Sequence, residues 1–238
     1  MNELIRFDQV SYRYPGGQDV LSDVSFSIAQ GEMVYVTGPS GAGKTTLLRL
    51  IALLCRATRG QVVVMGQNLS VLKPRRIPEF RQRIGLVFQN FNLLYDRTVF
   101  DNVALPLVIR GYTYADIGRR VRAALDAVGL LGKERALPLT LSGGEQQRVG
   151  IARAIVTKPA LILADEPTGN LDPEMALEVM RGFQRFNEAG VTVMIATHAI
   201  DLIEAIPQRN IHLEHGHVTD KRPTAASQLR EHMHHGLG

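Results

Sequence analysis

Hydrophobic and polar residues alternate over positions 4–10 and again over 20–28, the period-two pattern of half-buried strands, with Tyr14-Pro15-Gly16-Gly17 as the turn between them. A β-rich lobe therefore opens the chain. Positions 33–37 predict a short strand running into a glycine-rich loop, Gly38-Pro39-Ser40-Gly41-Ala42-Gly43, and then into a helix carrying Leu47, Leu48, Leu50, Ile51 and Leu54. From about 90 to 150 the pattern turns mostly helical. There Ile117, Val121, Leu125 and Val128 recur at four- and three-residue steps, with Arg119, Arg120 and Arg122 on the opposite, solvated face. Positions 160–164 and 191–196 are continuous apolar runs, as in parallel strands buried on both faces, and 173–187 reads as the crossover helix between them. The predicted fold class is α/β. A nucleotide-binding core is assembled from the two ends of the chain (1–89 with the antiparallel β-lobe, and 151–220), an α-helical subdomain is inserted over 90–150, and a tail follows over 221–238.

The loop changes this from a fold to a chemistry. Gly38-Pro39-Ser40-Gly41-Ala42-Gly43-Lys44-Thr45 fits the phosphate-loop pattern in full. Glycines let backbone N–H groups converge on phosphate, Lys44 adds charge at the β/γ positions, and Thr45 offers a hydroxyl to Mg²⁺. The following helix aims its positive end at the same anion. Leu161-Ile162-Leu163-Ala164-Asp165-Glu166 ends a buried strand on two acids, of which Asp165 is the expected metal residue and Glu166 the expected general base.

Composition sets the surroundings. A 238-residue chain that is 45% hydrophobic supports a real core, and its net charge of +4 suits an anionic nucleotide or an anionic membrane leaflet as well as nucleic acid. The single cysteine, Cys55, lies in an apolar run, which excludes an intrachain disulfide and suits a reducing compartment. The N-terminus shows no basic stretch leading into an apolar one, and no run approaches the roughly 18 apolar residues that cross a bilayer. A cytoplasmic location is expected.

Leu141-Ser142-Gly143-Gly144-Glu145-Gln146-Gln147-Arg148 is the most specific segment. Ser142 and two glycines opening a helix make a second anion-binding nest. The segment matches the signature of the ATP-binding-cassette ATPases, and the resemblance to that family covers nearly the whole chain, with the motifs in order. It implies the RecA-like form of the phosphate-loop fold and an ATPase that uses ATP and Mg²⁺. It also implies a head-to-tail homodimer, formed on ATP binding, in which Ser142, Gly143, Gly144 and Gln146 of one subunit face the nucleotide held by the phosphate loop and Thr46 of the other. By the same resemblance Tyr14 stacks on adenine, although a strand-end role remains open with Tyr12 so near. Gln89 touches Mg²⁺ and the attacking water and senses a membrane partner, Asp172 crosses the dimer interface, and His198 contacts the γ-phosphate. Ala199 departs from the pattern, since the family often has an acid there.

Positions 88–107, FQNFNLLYDRTVFDNVALPL, narrow the choice. Phe91, Leu93, Leu94, Tyr95, Val99 and Phe100 follow Gln89 closely. In this family that surface is a groove for a helix of the membrane subunit, while a small core of the helical insertion accounts for about half of them. The wording from Tyr95 to Ala104, with the arginine-bearing stretch 72–85 (Arg75, Arg76, Arg81 and Arg83), resembles the cell-division branch of the family. That implies a membrane partner of FtsX type docking near Phe91, Leu93, Leu94, Tyr95 and Phe100. The expected place is the inner face of the membrane at the division septum, and the output is control of septal peptidoglycan hydrolysis. Three alternatives stand beside it. One is the ATPase of a transporter that exports or extracts lipids, lipoproteins or drugs. Another is a scaffold that binds ATP but barely hydrolyses it. The third, a nucleic-acid-associated cassette protein, is disfavoured because neither a second cassette nor a long coiled coil is present, so no nucleic-acid partner is expected. Six of the seven histidines lie between His212 and His235, and the stretch after Asp220 reads as a solvated extension rather than a metal site.

Overall fold

The computed structural model describes residues 2–221. The tail expected over 221–238, with His232, His234 and His235, lies outside the described residues apart from Lys221, which ends the last strand.

Strands β1 (Glu3–Arg13) and β2 (Asp19–Ala29) pair antiparallel as the alternation predicts, and the inward residues Phe7 and Phe26 stack with ring centroids 4.6 Å apart. Strands β4 (Arg59–Val64) and β5 (Gln67–Asn68) complete this lobe in the order β2-β1-β4-β5. The second sheet has the order β10-β9-β3-β8-β7-β6, with β3 (Met33–Thr37), β6 (Ile84–Val87), β7 (Leu161–Asp165), β8 (Thr192–Ala196), β9 (Arg209–Glu214) and β10 (His217–Lys221). The pairings from β9 to β6 are parallel, and β10 adds an antiparallel edge. Every residue of β3 and β8 is buried, as expected for strands covered on both faces.

Helix α1 (Lys44–Ile51) follows β3 directly and packs with the β-lobe on one face of the sheet. Its end comes before Leu54, which is exposed and not part of the helical apolar face expected from sequence. A 3₁₀ turn and the short helix α2 (Ile77–Arg81) precede β6. Helices α3 (Val99–Ile109), α4 (Tyr114–Ala127) and α5 (Gly143–Ile155) form the helical region, with its own core of Leu93, Val103, Leu107, Val121, Leu125 and Val149. Helix α6 (Pro173–Glu188) buries Ala176, Val179, Met180 and Phe183 at helical spacing against the other face of the sheet, and α7 (Ile200–Ala205) follows β8.

Two features correct the sequence reading of the helical region. Helix α5 continues past Gly150 to Ile155, and at its far end its backbone lies on β6: a Cβ placed on Gly85 would stand 2.6 Å from Ala154 O. The boundary drawn at 150 therefore falls inside a helix that belongs to both parts. Leu93, expected on a partner surface, is only 6% exposed and sits in the helical core; Phe91 and Phe100 pack partly against the same core, leaving Leu94 and Tyr95 outside.

Candidate active site

The C-terminal ends of parallel strands point the same way, so the loops after β3, β6, β7 and β8 converge on one edge of the sheet. They line a cleft of about 670 Å³, bounded by Tyr14, Gly38, Ser40, Gly41, Gly43, Lys44, Thr45, Thr46, Gln89, Asp165, Glu166 and His198. Twelve residues predicted from separate stretches thus meet in one place. Val20, which sequence reasoning did not single out, joins them. Ala42 does not line the cleft; its N–H closes a turn onto Pro39 O (3.2 Å) and its methyl packs on the core below.

Gly38 is fixed by geometry on two counts. Its φ is +143°, and a Cβ there would lie 2.0 Å from Leu213 O of β9. The phosphate loop rests on that strand, where the Thr37 hydroxyl donates to Asn210 Oδ1 (2.8 Å) and contacts His212 Nδ1 (3.0 Å). Lys44 is buried, its ammonium donating to Gly38 O (2.8 Å) and Pro39 O (3.2 Å) with Glu166 Oε1 at 3.8 Å. The ammonium thus sits over the loop where phosphate charge would gather.

Thr45 Oγ1 donates to Asp165 Oδ1 at 3.1 Å. Burial pushes the Asp165 carboxyl above the usual carboxylate range; the Thr45 hydrogen bond works against this, and the nearby Glu166 charge adds to it. Glu166 stands at φ +46°, a left-handed conformation costing a side-chain-bearing residue roughly 1 kcal/mol. Its N–H bonds to Ala196 O (2.8 Å), and its Oε1 meets His198 Nδ1 at 2.9 Å. The ring itself is largely exposed at the cleft mouth. An ionised carboxylate only accepts, so Nδ1 of His198 is the donor.

Burial separates Tyr12 from Tyr14. Tyr12 is 8% exposed and supports Tyr14 edge-on at 4.9 Å, whereas Tyr14 is 38% exposed, lines the cleft and contacts Thr46 Oγ1 through its hydroxyl (3.1 Å).

Ser142, Gly143, Gly144, Gln146 and Asp172 lie outside this cleft. They cluster where α5 and α6 begin side by side: Gly143 lies near Asn170 O and the Phe91 ring, and Gly144 against Met175. Ser142 caps α5 in a reciprocal pair with Glu145, and the Ser142 N–H and Lys133 ammonium hold the Glu145 carboxyl below the usual range, Lys133 contributing more. Asp172 caps α6 by accepting from Met175 N at 3.0 Å.

Two side chains not assigned a role from sequence fix the segment after Gln89 to the helical region. Arg153 of α5 donates to Phe91 O (2.8 Å) and Asn92 O (2.7 Å), and burial pulls its guanidinium below its ordinary range. Asn102 of α3 is fully buried, accepts from Leu94 N (2.7 Å), and donates to Leu94 O and Thr98 O (2.9 Å each) with Arg97 O at 3.3 Å. The Tyr95 hydroxyl adds a bond to Gln146 Oε1 at 3.3 Å. A buried polar residue with a full set of partners is invisible in one dimension, because its partners are backbone carbonyls.

Comparison with known proteins agrees with this geometry. Residues 21–169 match the ABC transporter family. The chain is 53% identical over 215 residues to the Cell division ATP-binding protein FtsE of Escherichia coli (strain K12), covering 90% of this chain and 97% of that one. It is 45% identical over 213 residues to FtsE of Bacillus subtilis (strain 168), covering 90% and 93%. Among solved structures, the ATP-binding cassette MJ0796, as a dimer in a post-hydrolysis state bound to ADP and Pi, superposes with a TM-score of 0.84 at 34% identity, covering 92% of this chain and 98% of that one. The cleft, the signature cluster and these similarities lead to one assignment: the chain belongs to the ATP-binding-cassette family of ATPases, alongside the FtsE cell-division ATP-binding proteins.

Proposed function

We propose that this chain is the ATP-hydrolysing subunit of an FtsEX-type complex, in which an ATP-driven homodimer cycle acts through a membrane partner to regulate septal peptidoglycan hydrolysis. The observation that carries the chemistry is the Glu166 carboxylate, turned into the phosphate-loop cleft and held by His198 Nδ1 at 2.9 Å. ATP enters with adenine against Tyr14 and its phosphates over the loop, where Lys44 exchanges its bonds to Gly38 O and Pro39 O for phosphate oxygens. Glu166 accepts a proton from a water; that oxygen forms a bond to the γ-phosphorus while the bond to the β–γ bridging oxygen breaks, leaving ADP and phosphate.

Thr45 Oγ1 and Asp165 Oδ1 are hard oxygen donors side by side, with Gln89 on the same cleft, a set that suits Mg²⁺. When bound, the ion neutralises phosphate charge.

The signature cluster lies outside its own chain's cleft, which supports a head-to-tail dimer in which each chain completes the other's site. MJ0796 is a dimer in its solved structures. Among the described residues, no helix is long and apolar enough to cross a membrane. The membrane half therefore belongs to a partner, and a groove of about 640 Å³ lined by Leu86, Phe88, Leu105, Pro106 and Ile109 offers it an apolar seat beside the segment that follows Gln89. In this reading the chain works at the inner face of the membrane, at the septum.

Glu166→Gln tests the reading. Turnover falls by about 10²- to 10⁴-fold, the usual worth of a general base, and ATP-bound dimers accumulate in size-exclusion chromatography. Undiminished turnover refutes the assignment of Glu166, and co-purification with a transport permease instead of an FtsX-type protein refutes the division role.

A further inference from the structure

One surface feature is not used by the cleft or the dimer. Residues 73–83 carry five cations, Lys73, Arg75, Arg76, Arg81 and Arg83, against a single anion, Glu79, a net of +4, which equals the formal net charge of the whole 238-residue chain. The other residues therefore balance, and the chain's excess charge is gathered in one short segment.

Some arginines around this segment serve the fold. Arg81 donates to Leu53 O (2.7 Å) at the end of α1, and Arg56 donates to Leu69 O (2.5 Å) and Leu72 O (2.7 Å) just before the segment. With Phe80 buried beneath, these bonds anchor the 3₁₀ turn Pro74–Arg76 and α2. Lys73, Arg75, Arg76 and Arg83 are different: all four are exposed, and their side chains have no hydrogen-bonding or ion-pairing partner among the described residues. A rigid base thus holds a row of unneutralised cations in solvent. The same segment forms one wall of the apolar groove through Pro78, Arg81 and Gln82, and Gln82 accepts from Arg110 Nε (3.2 Å) across it. Val71, next to the row, and Val108 and Ile109, on the helix opposite, are each more than half exposed.

We infer that the Lys73–Arg76 cations form a contact for anionic phospholipid headgroups, so that the ATPase touches the bilayer itself beside its docking groove. The orientation toward the membrane rests on the function proposed above. Charge complementarity selects the occupant: cations lacking protein counter-ions, beside exposed apolar side chains, fit an anionic interface. Duplex nucleic acid fits less well, because it gives no place to Val71, Val108 and Ile109.

The test is co-sedimentation of the full chain with phosphatidylcholine vesicles containing about one third phosphatidylglycerol, beside vesicles of phosphatidylcholine alone. The chain binds the anionic vesicles only, and binding weakens as salt rises above roughly 0.15 M. At about fivefold per cation, Arg75→Gln with Arg76→Gln lowers the affinity about 30-fold, while basal ATPase activity is unchanged and shows the fold intact. Equal binding to both vesicles, or an unchanged affinity in the double variant, overturns the inference. Tighter binding to duplex DNA than to the anionic vesicles, with the same loss in the double variant, also overturns it and assigns the row to nucleic acid. The vesicles contain no protein, so the result does not depend on which membrane protein is the partner.

Discussion

Asn102→Asp changes one buried atom from a donor to an acceptor and leaves the shape intact. In the native chain the Asn102 amide gives its protons to Leu94 O and Thr98 O at 2.9 Å, while its oxygen accepts from Leu94 N at 2.7 Å. An ionised carboxylate would point lone pairs at those carbonyls in a site with no solvent exposure. The introduced carboxyl therefore stays protonated, keeping one donated and one accepted bond. Holding it neutral at pH 7, about 3 pH units above its ordinary pKa, costs about 4 kcal/mol at 1.36 kcal/mol per unit. Its folded pKa lies above its unfolded one, so the folded state binds more protons and the penalty shrinks as pH falls, to about 2 kcal/mol at pH 5.5. Asn102→Ala is the companion. It loses all of the Asn102 side-chain bonds and adds no titrating group, for about 3 kcal/mol that does not depend on pH. Urea unfolding followed by circular dichroism at the two pH values measures both, each against the unmodified chain at the same pH. An Asn102→Asp deficit below about 0.5 kcal/mol, or one equal at both pH values, would refute the reasoning.

Two further outcomes follow from the site. Tyr14→Phe keeps the ring and loses only the hydroxyl contact with Thr46, so ATP affinity stays within about threefold, whereas Tyr14→Ala lowers it about tenfold as judged by fluorescent-nucleotide titration; equal losses would assign the role to the hydroxyl. Glu145, held below the usual carboxylate range by Lys133 and the Ser142 N–H, stabilises the start of α5 above its unfolded pKa of about 4.3, and that stability is lost as pH falls through its depressed folded pKa. Glu145→Gln accordingly lowers the melting temperature at pH 7 and converges with the parent under acid conditions; a constant gap would show that the charge is not involved.

The parts legible in the sequence are those whose chemistry is written in consecutive residues. The phosphate loop, the Asp165-Glu166 pair, the buried strands and the α6 crossover all lie where their local patterns put them. Strands β9 and β10 are not legible in the sequence, because RNIHLE carries only two apolar residues and its pairing partner β3 lies more than 170 residues away in the chain. Leu93 and Leu94 are adjacent leucines in one loop, yet the first is buried and the second exposed, a distinction made by the Asn102 anchor and not by either residue. Arg153 reads as one more cation on an amphipathic helix until its carbonyl partners at Phe91 and Asn92 are seen.

The approach of α5 to β6 at Gly85 has a mechanical meaning. Where two elements meet through interleaved side chains, rotamers absorb small displacements and the joint has play. Here backbone faces backbone, with no room for a methyl group, and Arg153 next in the chain clasps the segment that follows Gln89. The strand leading to Gln89 and the helix that begins at Ser142 are geared together without slack. Neither element can shift along the other without the backbone of its neighbour giving way, so β6 and α5 move as one piece.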